Sequence, residues 1–446
     1  MSCTYIKVAT GGSDLLALHA ANPQRYPYLL QSGATQPGEE GWDILFGFPG
    51  ETIRAGDGAF LSQLDQCWHE SITPAEAENG SDELFPFCGG WFLFLDYELA
   101  YEIEPRLNQG RERAVRSHSY ATRIPAALLY QHATDELFLV AEQAQQPLIA
   151  EMERDLQRMM PVAPLPPSVA VASMREEPSR QFLSSVERIK RYIVEGDLFQ
   201  VNLSRQWQGQ CEQSIPPYQI YQRLRTANPA PFSALALQDG EAIISSSPER
   251  LVRVRNGVAE TRPIAGTHPR GASSEEDQQL SSQLLQHPKE QAEHIMLIDL
   301  ERNDLGRVCE IGTVEVDELM VLESYAHVHH IVSNVKGRLR TGVSPGALIR
   351  ALFPGGTITG CPKVRCMEVI HELEREARGA YTGSLGYLNH NGSLDLNILI
   401  RTITQRGGQV TLRAGAGIVY DSIPQRELEE TRAKAKGMLL ALGAAP

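Results

Sequence analysis

The amino-acid sequence predicts an α+β fold, in which a large antiparallel or mixed sheet packs against helices. Apolar runs of strand length, amphipathic stretches of helix length and the adjacency of several strands support this class. Strands are predicted at residues 126–130, 137–140, 242–246, 386–388, 398–403 and 410–414. Helices are predicted at residues 146–160, 180–196, 278–286, 288–300, 363–374 and 425–442.

A proline-rich segment divides the chain into two predicted parts. The four prolines between residues 161 and 167 do not fit a helix interior or a central strand. An amphipathic helix at residues 180–196 follows, and Gly196 fits its C-terminal cap. We therefore predict an N-terminal lobe at residues 1–165 and a second domain at residues 178–442.

The composition is that of an ordinary globular protein, since 42% of the 446 residues are hydrophobic and 22% are charged. The net charge of −14 argues against nucleic-acid binding, which needs a clustered basic surface. We find neither a run of eighteen apolar residues nor a secretory signal, so we expect neither a membrane span nor export. The seven cysteines are scattered without a C-x-x-C pair, so we expect a reduced, cytoplasmic enzyme with no zinc site or redox motif.

Two predicted helices carry acidic pairs at helical spacing. Glu290 and Glu293 are three residues apart, and Glu427 and Glu430 repeat this spacing near the C-terminus. Residues three apart share a helix face, so the two faces together could hold a hard cation such as Mg²⁺. The alternative is that both pairs are solvated helix surfaces, which are common.

Four further features are candidates for ligand binding or proton transfer, each with an ordinary structural alternative. The glycine-rich loop at residues 353–363 leads into a helix and could bind an anion, or simply feed a core helix. Arg401 follows an apolar strand and suits a carboxylate, or lies at the surface. Glu249 ends a strand and suits acid–base chemistry, or pairs with its neighbouring arginine. His330 lies in a histidine-rich strand, where a hydrogen-bonding role is favoured over a metal site.

Six segments carry most of the functional signal. The segment Pro-Ile-Ala-Gly-Thr predicts a strand that enters a tight turn, because proline fixes φ and glycine permits close approach. With the other five it resembles the chorismate-utilising enzymes, a family that includes anthranilate, aminodeoxychorismate, isochorismate and salicylate synthases. This resemblance implies a two-lobed antiparallel β-sandwich surrounded by helices, with chorismate and Mg²⁺ in a cleft. The segments are residues 196–204 (GDLFQVNLS), 247–250 (SPER), 263–267 (PIAGT), 299–306 (DLERNDLG), 360–363 (GCPK) and 414–419 (AGAGIV).

The resemblance also implies a role for each matching residue. It implies that Glu293 and Glu430 bind Mg²⁺ directly, with Glu290 and Glu427 as outer acidic partners. It assigns Glu249 as the general acid that protonates the departing hydroxyl. The other implied site residues are Tyr381 and Arg401 at the enolpyruvyl carboxylate, the amides of Gly415 and Gly417, Thr267 and Thr357 beside the ring, Lys434 in substrate binding, and His330 near the departing hydroxyl.

Gln200 indicates the nucleophile. In the family members that use water, a lysine stands at this position and activates it. A neutral glutamine cannot be that base, so the chain resembles the branch that uses ammonia. The resemblance implies a separate glutaminase subunit as the ammonia source, because neither Cys88 nor Cys361 lies in a glutaminase nucleophile motif.

Two aminated products compete. Aminodeoxychorismate synthases usually carry a reactive lysine where Ala265 stands, so the alanine alone favours anthranilate. The segments at residues 200–204, 228–233 and 357–363, with the short N-terminal lobe, look more like the aminodeoxychorismate branch. We therefore favour 4-amino-4-deoxychorismate as the product, with anthranilate as the alternative.

The N-terminal lobe offers a third hypothesis. Gln31 and Ser32 match a tryptophan-binding segment of the anthranilate enzymes, where a glutamate is usual in place of the glutamine. We expect at most a remnant of a tryptophan site here. A catalytically silent subunit that binds only tryptophan or a partner is disfavoured by the intact set of metal and acid residues.

Overall fold

The computed structural model describes residues 3–8, 14–33, 41–56, 59–71, 84–108, 115–161, 171–211, 215–271, 273–325 and 328–444. Side chains are described in these ranges except at residues 171–173, 267–269 and 289. The Thr267 side chain, His327 and most of the proline-rich segment therefore lie outside the described part.

Two antiparallel sheets form the centre of the molecule. In spatial order the first is β1-β8-β7-β3-β2-β11-β12-β21-β22-β10-β18, with β9 also paired to β10. The second is β15-β17-β14-β13-β20-β19-β5-β6-β4, with β16 also paired to β17. The described strands are β1 (Cys3–Val8), β2 (Tyr28–Gln31), β3 (Trp42–Gly47), β4 (Thr52–Arg54), β5 (Gly90–Leu95), β6 (Tyr120–Ile124), β7 (Ala126–Gln131), β8 (Glu136–Glu142), β9 (Val171–Glu176), β10 (Gln200–Cys211), β11 (Phe232–Gln238), β12 (Glu241–Ser247), β13 (Arg250–Arg255), β14 (Val258–Thr261), β15 (Ile264–Pro269), β16 (Glu315–Ser324), β17 (Val328–Arg338), β18 (Gly360–Cys361), β19 (Ser384–Asn389), β20 (Leu394–Asn397), β21 (Thr402–Arg406) and β22 (Gln409–Ile418).

Helices cover the outer faces of both sheets. No described helix is both long enough and apolar enough to cross a membrane. The described helices are α1 (Leu15–Ala21), α2 (Phe60–Ser71), α3 (Ala100–Ile103), α4 (Pro147–Gln157), α5 (Ser179–Val194), α6 (Pro217–Ala227), α7 (Ser274–Gln286), α8 (Pro288–Gly306), α9 (Pro345–Leu352), α10 (Lys363–Leu373) and α11 (Pro424–Ala441).

Period-two alternation along the strands builds the layers. Tyr28 and Phe92 belong to the core between the sheets, where their rings stack with centroids 4.0 Å apart. The neighbouring Leu29 packs outward beneath α1, α4, α6 and α11, and Leu93 packs outward beneath α2 and α9. Both sheets are therefore apolar on two faces. The expected α+β class and helix-covered antiparallel sandwich are confirmed.

Strands from both sides of the proline-rich segment enter both sheets. The first sheet combines β1–β3, β7 and β8 with later strands, and the second combines β4–β6 with later strands. The two parts of the chain thus share one β-sandwich. The division at residues 165–178 stays a prediction.

Two local predictions were wrong. The predicted strand at residues 398–403 is interrupted, since β20 ends at Asn397, β21 begins at Thr402 and Arg401 has a φ of 53°. The predicted tight turn after Pro263 is instead a bulged strand. Gly266, with a φ of 69°, forms the bulge where the β15–β17 register shifts. In both places, pairing with distant strands decides the local structure.

A buried ion-pair cluster joins the first sheet to the segment before β19. Glu374 accepts hydrogen bonds from Arg378 at 2.7 Å, Arg413 at 2.9 Å and the Ser204 amide at 2.8 Å. Arg378 also donates to the carbonyl of Asn202 at 2.7 Å. Burial alone raises the pKa of the Glu374 carboxyl, but the two guanidinium groups outweigh it and lower that pKa. The cluster therefore stays charged inside the protein.

We predict that Arg378→Met lowers the free energy of unfolding by about 3–5 kcal/mol, because Glu374 loses a buried partner. Urea denaturation monitored by circular dichroism measures this loss. Arg54→Met is the matched control, since its pair with Asp239 is exposed and contributes about 1 kcal/mol or less. Equal effects of the two substitutions would contradict the structural role of the cluster.

Candidate active site

Helix α8 connects the two sheets through its acidic pair. A Cβ on Gly266 of β15 would lie 3.0 Å from Glu290 Oε2, so Glu290 reaches the second sheet. Glu293 Oε1 accepts a hydrogen bond of 2.7 Å from Gln200 Nε2, so Glu293 reaches the first sheet. Two glutamates on one helix face thus approach opposite walls of the same site.

Gln200, Glu293 and Gly417 form the closest-packed part of this site. Gln200 is buried, with 4% of its surface exposed. A Cβ on Gly417 would lie 2.6 Å from Gln200 Nε2, so any larger residue there would displace the Gln200 amide. Within the described structure, the other end of the amide, Gln200 Oε1, is buried without a hydrogen-bond partner. An unsatisfied buried oxygen beside a carboxylate is an acceptor available to a ligand.

The second acidic pair lies on α11. Glu430 forms an ion pair of 2.6 Å with Lys434, and both side chains are partly exposed. Among the described residues, no three or more histidine, cysteine, aspartate or glutamate side chains cluster as a metal site. Mg²⁺ often needs only one or two carboxylates because it retains several waters. Glu293 and Glu430 are carboxylates of the kind that this ion takes, and the charge of Glu430 also acts on Arg401.

Glu249 is a buried carboxyl at the junction of β12 and β13. Only 4% of its surface is exposed, and the amide of Ile264 donates to it at 3.4 Å. Burial raises the pKa of Glu249 to about 7, against smaller lowering effects of Thr357, that amide and Lys434. The Thr357 hydroxyl is close enough to the Glu249 carboxyl to lower its pKa. In the described structure, however, the two groups do not have the geometry of a hydrogen bond. Glu249 can thus hold a proton near neutral pH, as a general acid must.

His330 pairs with Thr267 beside the bulge at Gly266, and Arg401 lies near enough for its charge to act on His330. Burial, then the nearby Arg401 charge, lowers the pKa of His330 to about 4. His330 is therefore neutral at pH 7 and can take part in hydrogen bonds but not ion pairs. Burial also lowers the pKa of Arg401, while Tyr381 and Glu430 act in the opposite direction. The left-handed φ of Arg401 is costly for a side chain with a Cβ, as is common at functional sites.

Ala265 and Thr267 flank the bulge in β15. Ala265 is 6% exposed and pairs with Ile331, whereas Thr267 pairs with His330. The backbone of Thr267 therefore lies beside the candidate site.

Tyr381 and the glycines of β22 form the remaining wall. A Cβ on Gly415 would lie 2.6 Å from Tyr381 Oη, and Asn202 Nδ2 lies 3.5 Å from the same oxygen. β21 pairs only with residues 409–412 of β22, so the described pairs of residues 413–418 are with β10 alone. One edge of β22 is thus open beside Gly415 and Gly417, where backbone groups can meet a ligand.

The predicted N-terminal site lies elsewhere. Gln31 and Ser32 line a cavity of about 450 Å³ between the sheets, together with Trp42, Phe232 and Tyr387. The Gln31 amide is already engaged, because its nitrogen donates to Asp43 at 2.7 Å and its oxygen accepts from Tyr221 and Arg225 at 2.9 Å. Neither Gln200 nor Glu249 lines this cavity.

Sequence reasoning missed a second buried carboxyl near Glu249. Glu301 accepts a hydrogen bond of 3.3 Å from the Gly356 amide. Burial and the neighbouring Asp304 raise the pKa of Glu301 to about 8, and the charge of Glu249 adds to this rise. Asp304 is in turn ion-paired to Lys363. The quoted segments 299–306 and 360–363 contain this network, but no local pattern shows that it faces Glu249.

Comparisons with known proteins identify the class. The sequence profile described as chorismate binding enzyme matches residues 26–440, nearly the whole chain. The chain therefore belongs to the chorismate-binding enzyme family.

Individual relatives carry two different names. The chain is 40% identical over 452 residues to "Aminodeoxychorismate synthase component 1" of Bacillus subtilis, covering 98% of this chain and 93% of that protein. It is 43% identical over 392 residues to an "Anthranilate synthase component I-like protein" of Synechocystis, covering 86% and 78%. Anthranilate synthase component I from Streptococcus pneumoniae has a similar structure, with a TM-score of 0.76, 30% identity and coverage of 91% and 93%.

We predict that Glu249 makes the protein less stable as pH rises from about 5 to 8. Its folded pKa of about 7 exceeds the ordinary value of 4.5, so the folded state holds its proton more tightly. The stability of the wild type relative to Glu249→Gln should therefore fall by about 3 kcal/mol over this range. Urea unfolding at each pH measures it.

The matched control is Glu429→Gln, because the Glu429 side chain is 56% exposed and lies on α11. Its stability difference from the wild type should stay nearly constant with pH. A Glu249→Gln difference equally independent of pH would show that Glu249 titrates normally.

Proposed function

We propose that this enzyme aminates chorismate with ammonia to give 4-amino-4-deoxychorismate. The observation that carries this proposal is the buried hydrogen bond from Gln200 to Glu293. A neutral amide stands where a water-activating base would be needed, and it is oriented by one of the metal-binding candidates. Near full-length similarity to the Bacillus subtilis protein supports the C4-aminated product.

Ammonia needs no base at Gln200, because its free form is already nucleophilic once it is desolvated and positioned. Gln200 Nε2 is occupied by Glu293, whereas its Oε1 has no partner in the described structure. That oxygen can accept a hydrogen bond from an N–H of the nucleophile. The amide thereby orients ammonia and Glu293 together.

The proposed substrate orientation follows from the charges around the site. Arg401 and Tyr381 would bind the enolpyruvyl carboxylate, with the open edge at Gly415 and Gly417 supplying neutral backbone contacts. Mg²⁺, held by Glu293 and Glu430, would supply a Lewis acid for the ring carboxylate. Lys434 also lies on this face of α11, where it neutralises Glu430 and contributes positive charge toward Glu249.

Glu249 would transfer its proton to the departing C4 hydroxyl. Its raised pKa keeps much of it protonated at neutral pH, and its hydrogen bond from Ile264 fixes it beside β15. The neutral His330 would hydrogen-bond to the same hydroxyl. Thr357 and the backbone of Thr267 would lie beside the ring between these groups.

Anthranilate is the competing product. Ala265 provides no side-chain nucleophile for a covalent adduct, and relatives named as anthranilate synthases resemble the chain comparably. Under the proposed function, ammonia must reach C4 without a lysine adduct at this position. The contacts around Gln200 and Glu249 would then direct the amination.

The proposal includes a separate glutaminase subunit and a cytoplasmic location. It assigns chorismate chemistry to residues 178–442 and an anthranilate-synthase-like N-terminal lobe to residues 1–165. Gln31 and Ser32 would then line a remnant of a tryptophan site, because the amide of Gln31 is saturated by neighbouring protein groups.

We predict that the purified chain, with chorismate, Mg²⁺ and ammonium, produces 4-amino-4-deoxychorismate. Liquid chromatography with mass spectrometry identifies the product, and fluorescence detects any anthranilate. Glutamine in place of ammonium should give no product until a glutaminase is added. Anthranilate as the main product would overturn the C4 assignment and leave the family intact.

We predict that Glu293→Gln weakens Mg²⁺ binding by more than about 10-fold, because a carboxylate ligand becomes a neutral amide. The Mg²⁺ concentration for half-maximal activity and calorimetry with Mg²⁺ and chorismate both measure this change. Glu429→Gln, exposed on α11, should leave the midpoint unchanged. An unchanged midpoint for Glu293→Gln would refute the metal assignment.

A further inference from the structure

Two cysteines remote in sequence meet at the edge of the β-sandwich. Cys3 in β1 and Cys88, just before β5, have their sulfur atoms 2.9 Å apart, although the residues are 85 positions apart. Neither cysteine is in a disulfide, and both are half-buried. No C-x-x-C pattern marks this pair, because only the tertiary fold brings the two cysteines together.

Independent contacts hold both sides of this pair. The Tyr5 ring on β1 packs edge-on against Phe85, with centroids 4.9 Å apart. Asn389 holds the loop before β5 from both sides, because its amide nitrogen donates to the Pro86 carbonyl at 2.8 Å and its oxygen accepts from the Cys88 amide at 3.2 Å. The approach of the two sulfurs therefore needs no rearrangement of either segment.

The surroundings also favour reaction at Cys3. The hydrogen bond with Cys88 lowers the pKa of the Cys3 thiol, against the opposing effect of burial. A larger thiolate fraction makes a cysteine a better nucleophile toward disulfides. The buried Cys366, in contrast, has its thiol bonded to the Gln200 carbonyl at 3.0 Å, and burial raises its pKa.

We propose that Cys3 and Cys88 are a redox-modification site that forms a reversible disulfide with a low-molecular-weight disulfide such as oxidised glutathione. The Cys3 thiolate attacks one glutathione sulfur, forming a mixed disulfide and releasing one glutathione thiolate. The Cys88 thiolate then attacks Cys3 Sγ and releases the second glutathione. Two protein thiols are oxidised, and one glutathione disulfide is reduced to two thiols.

The consequence of this bond is a covalent connection between the two sheets. β1 is the edge strand of the first sheet, and β5 is an interior strand of the second. The connected loop includes Pro86, which lines the same inter-sheet cavity as Trp42 and Gln31. Oxidation would therefore restrain one wall of that cavity and constrain the unfolded chain.

The test is equilibration of the full chain in oxidised and reduced glutathione, followed by alkylation under denaturing conditions. The number of alkylated thiols should fall from seven to five, the two lost being Cys3 and Cys88. Mass spectrometry of the digested protein should find these two residues cross-linked. The oxidised protein should unfold at a higher urea concentration than the reduced protein.

Matched variants separate this site from other cysteine chemistry. Cys67→Ser is the control because Cys67 is carried on the same tryptic peptide as Cys88, and it should keep both the cross-link and the urea shift. Cys88→Ser should lose both and leave Cys3 as a mixed disulfide with glutathione. A stable mixed disulfide at Cys3 in the wild type, a cross-link through Cys67, or seven free thiols after oxidation would each overturn the proposal.

Discussion

The candidate site depends on the buried charge of Arg378. Its guanidinium group bonds to Glu374 and to the carbonyls of Asn202 and Ile358, and it lies over the rings of Tyr97 and Tyr381. A planar group with five donors can join several segments at fixed angles, which a lysine cannot. One side chain thereby fixes β10, the glycine-rich loop and the Tyr381 segment relative to one another.

The buried carboxyls of this region differ in pKa according to their partners. Glu374 has two guanidinium partners, so its pKa is lowered and it remains an anion. Glu249 and Glu301 have mainly amide partners, so burial raises their pKa values to about 7 and about 8. Carboxyls within one region thus differ in protonation at neutral pH because their partners differ. Only the second kind can transfer a proton near neutral pH.

Much of the fold could be predicted from the sequence because its local patterns agree with its tertiary contacts. Helices α5, α10 and α11 lie within a few residues of their predicted positions, since each carries an amphipathic stripe and a recognisable end. The prediction of a strand at residues 398–403 was wrong because Ile398 to Ile400 have the apolar character that is typical of a buried strand. What interrupts it is the conformation of Arg401, which has no local signal.

The residues of the candidate site could be predicted only where they belong to a recognisable sequence motif. The acidic pair on α8 was visible from its spacing, but its division between two sheets follows from the packing of that helix. Glu301 and Arg378 had no such signal, because a buried charge is recognised by partners far away in sequence. Residues that set the electrostatics of a site are therefore harder to predict than residues that contact its ligand.

Under the proposed function, Ala265 alone does not decide the product. An alanine there supplies no side-chain nucleophile for a covalent adduct beside the bulge at Gly266. Glu249 is anchored to the start of β15 through Ile264, while Gln200 of the first sheet is anchored to Glu293 of α8. The proposed acid and the amide proposed to orient ammonia would therefore reach the substrate ring from different walls. Under the proposed function, their relative placement, which depends on both sheets and on α8, would select the carbon that is aminated.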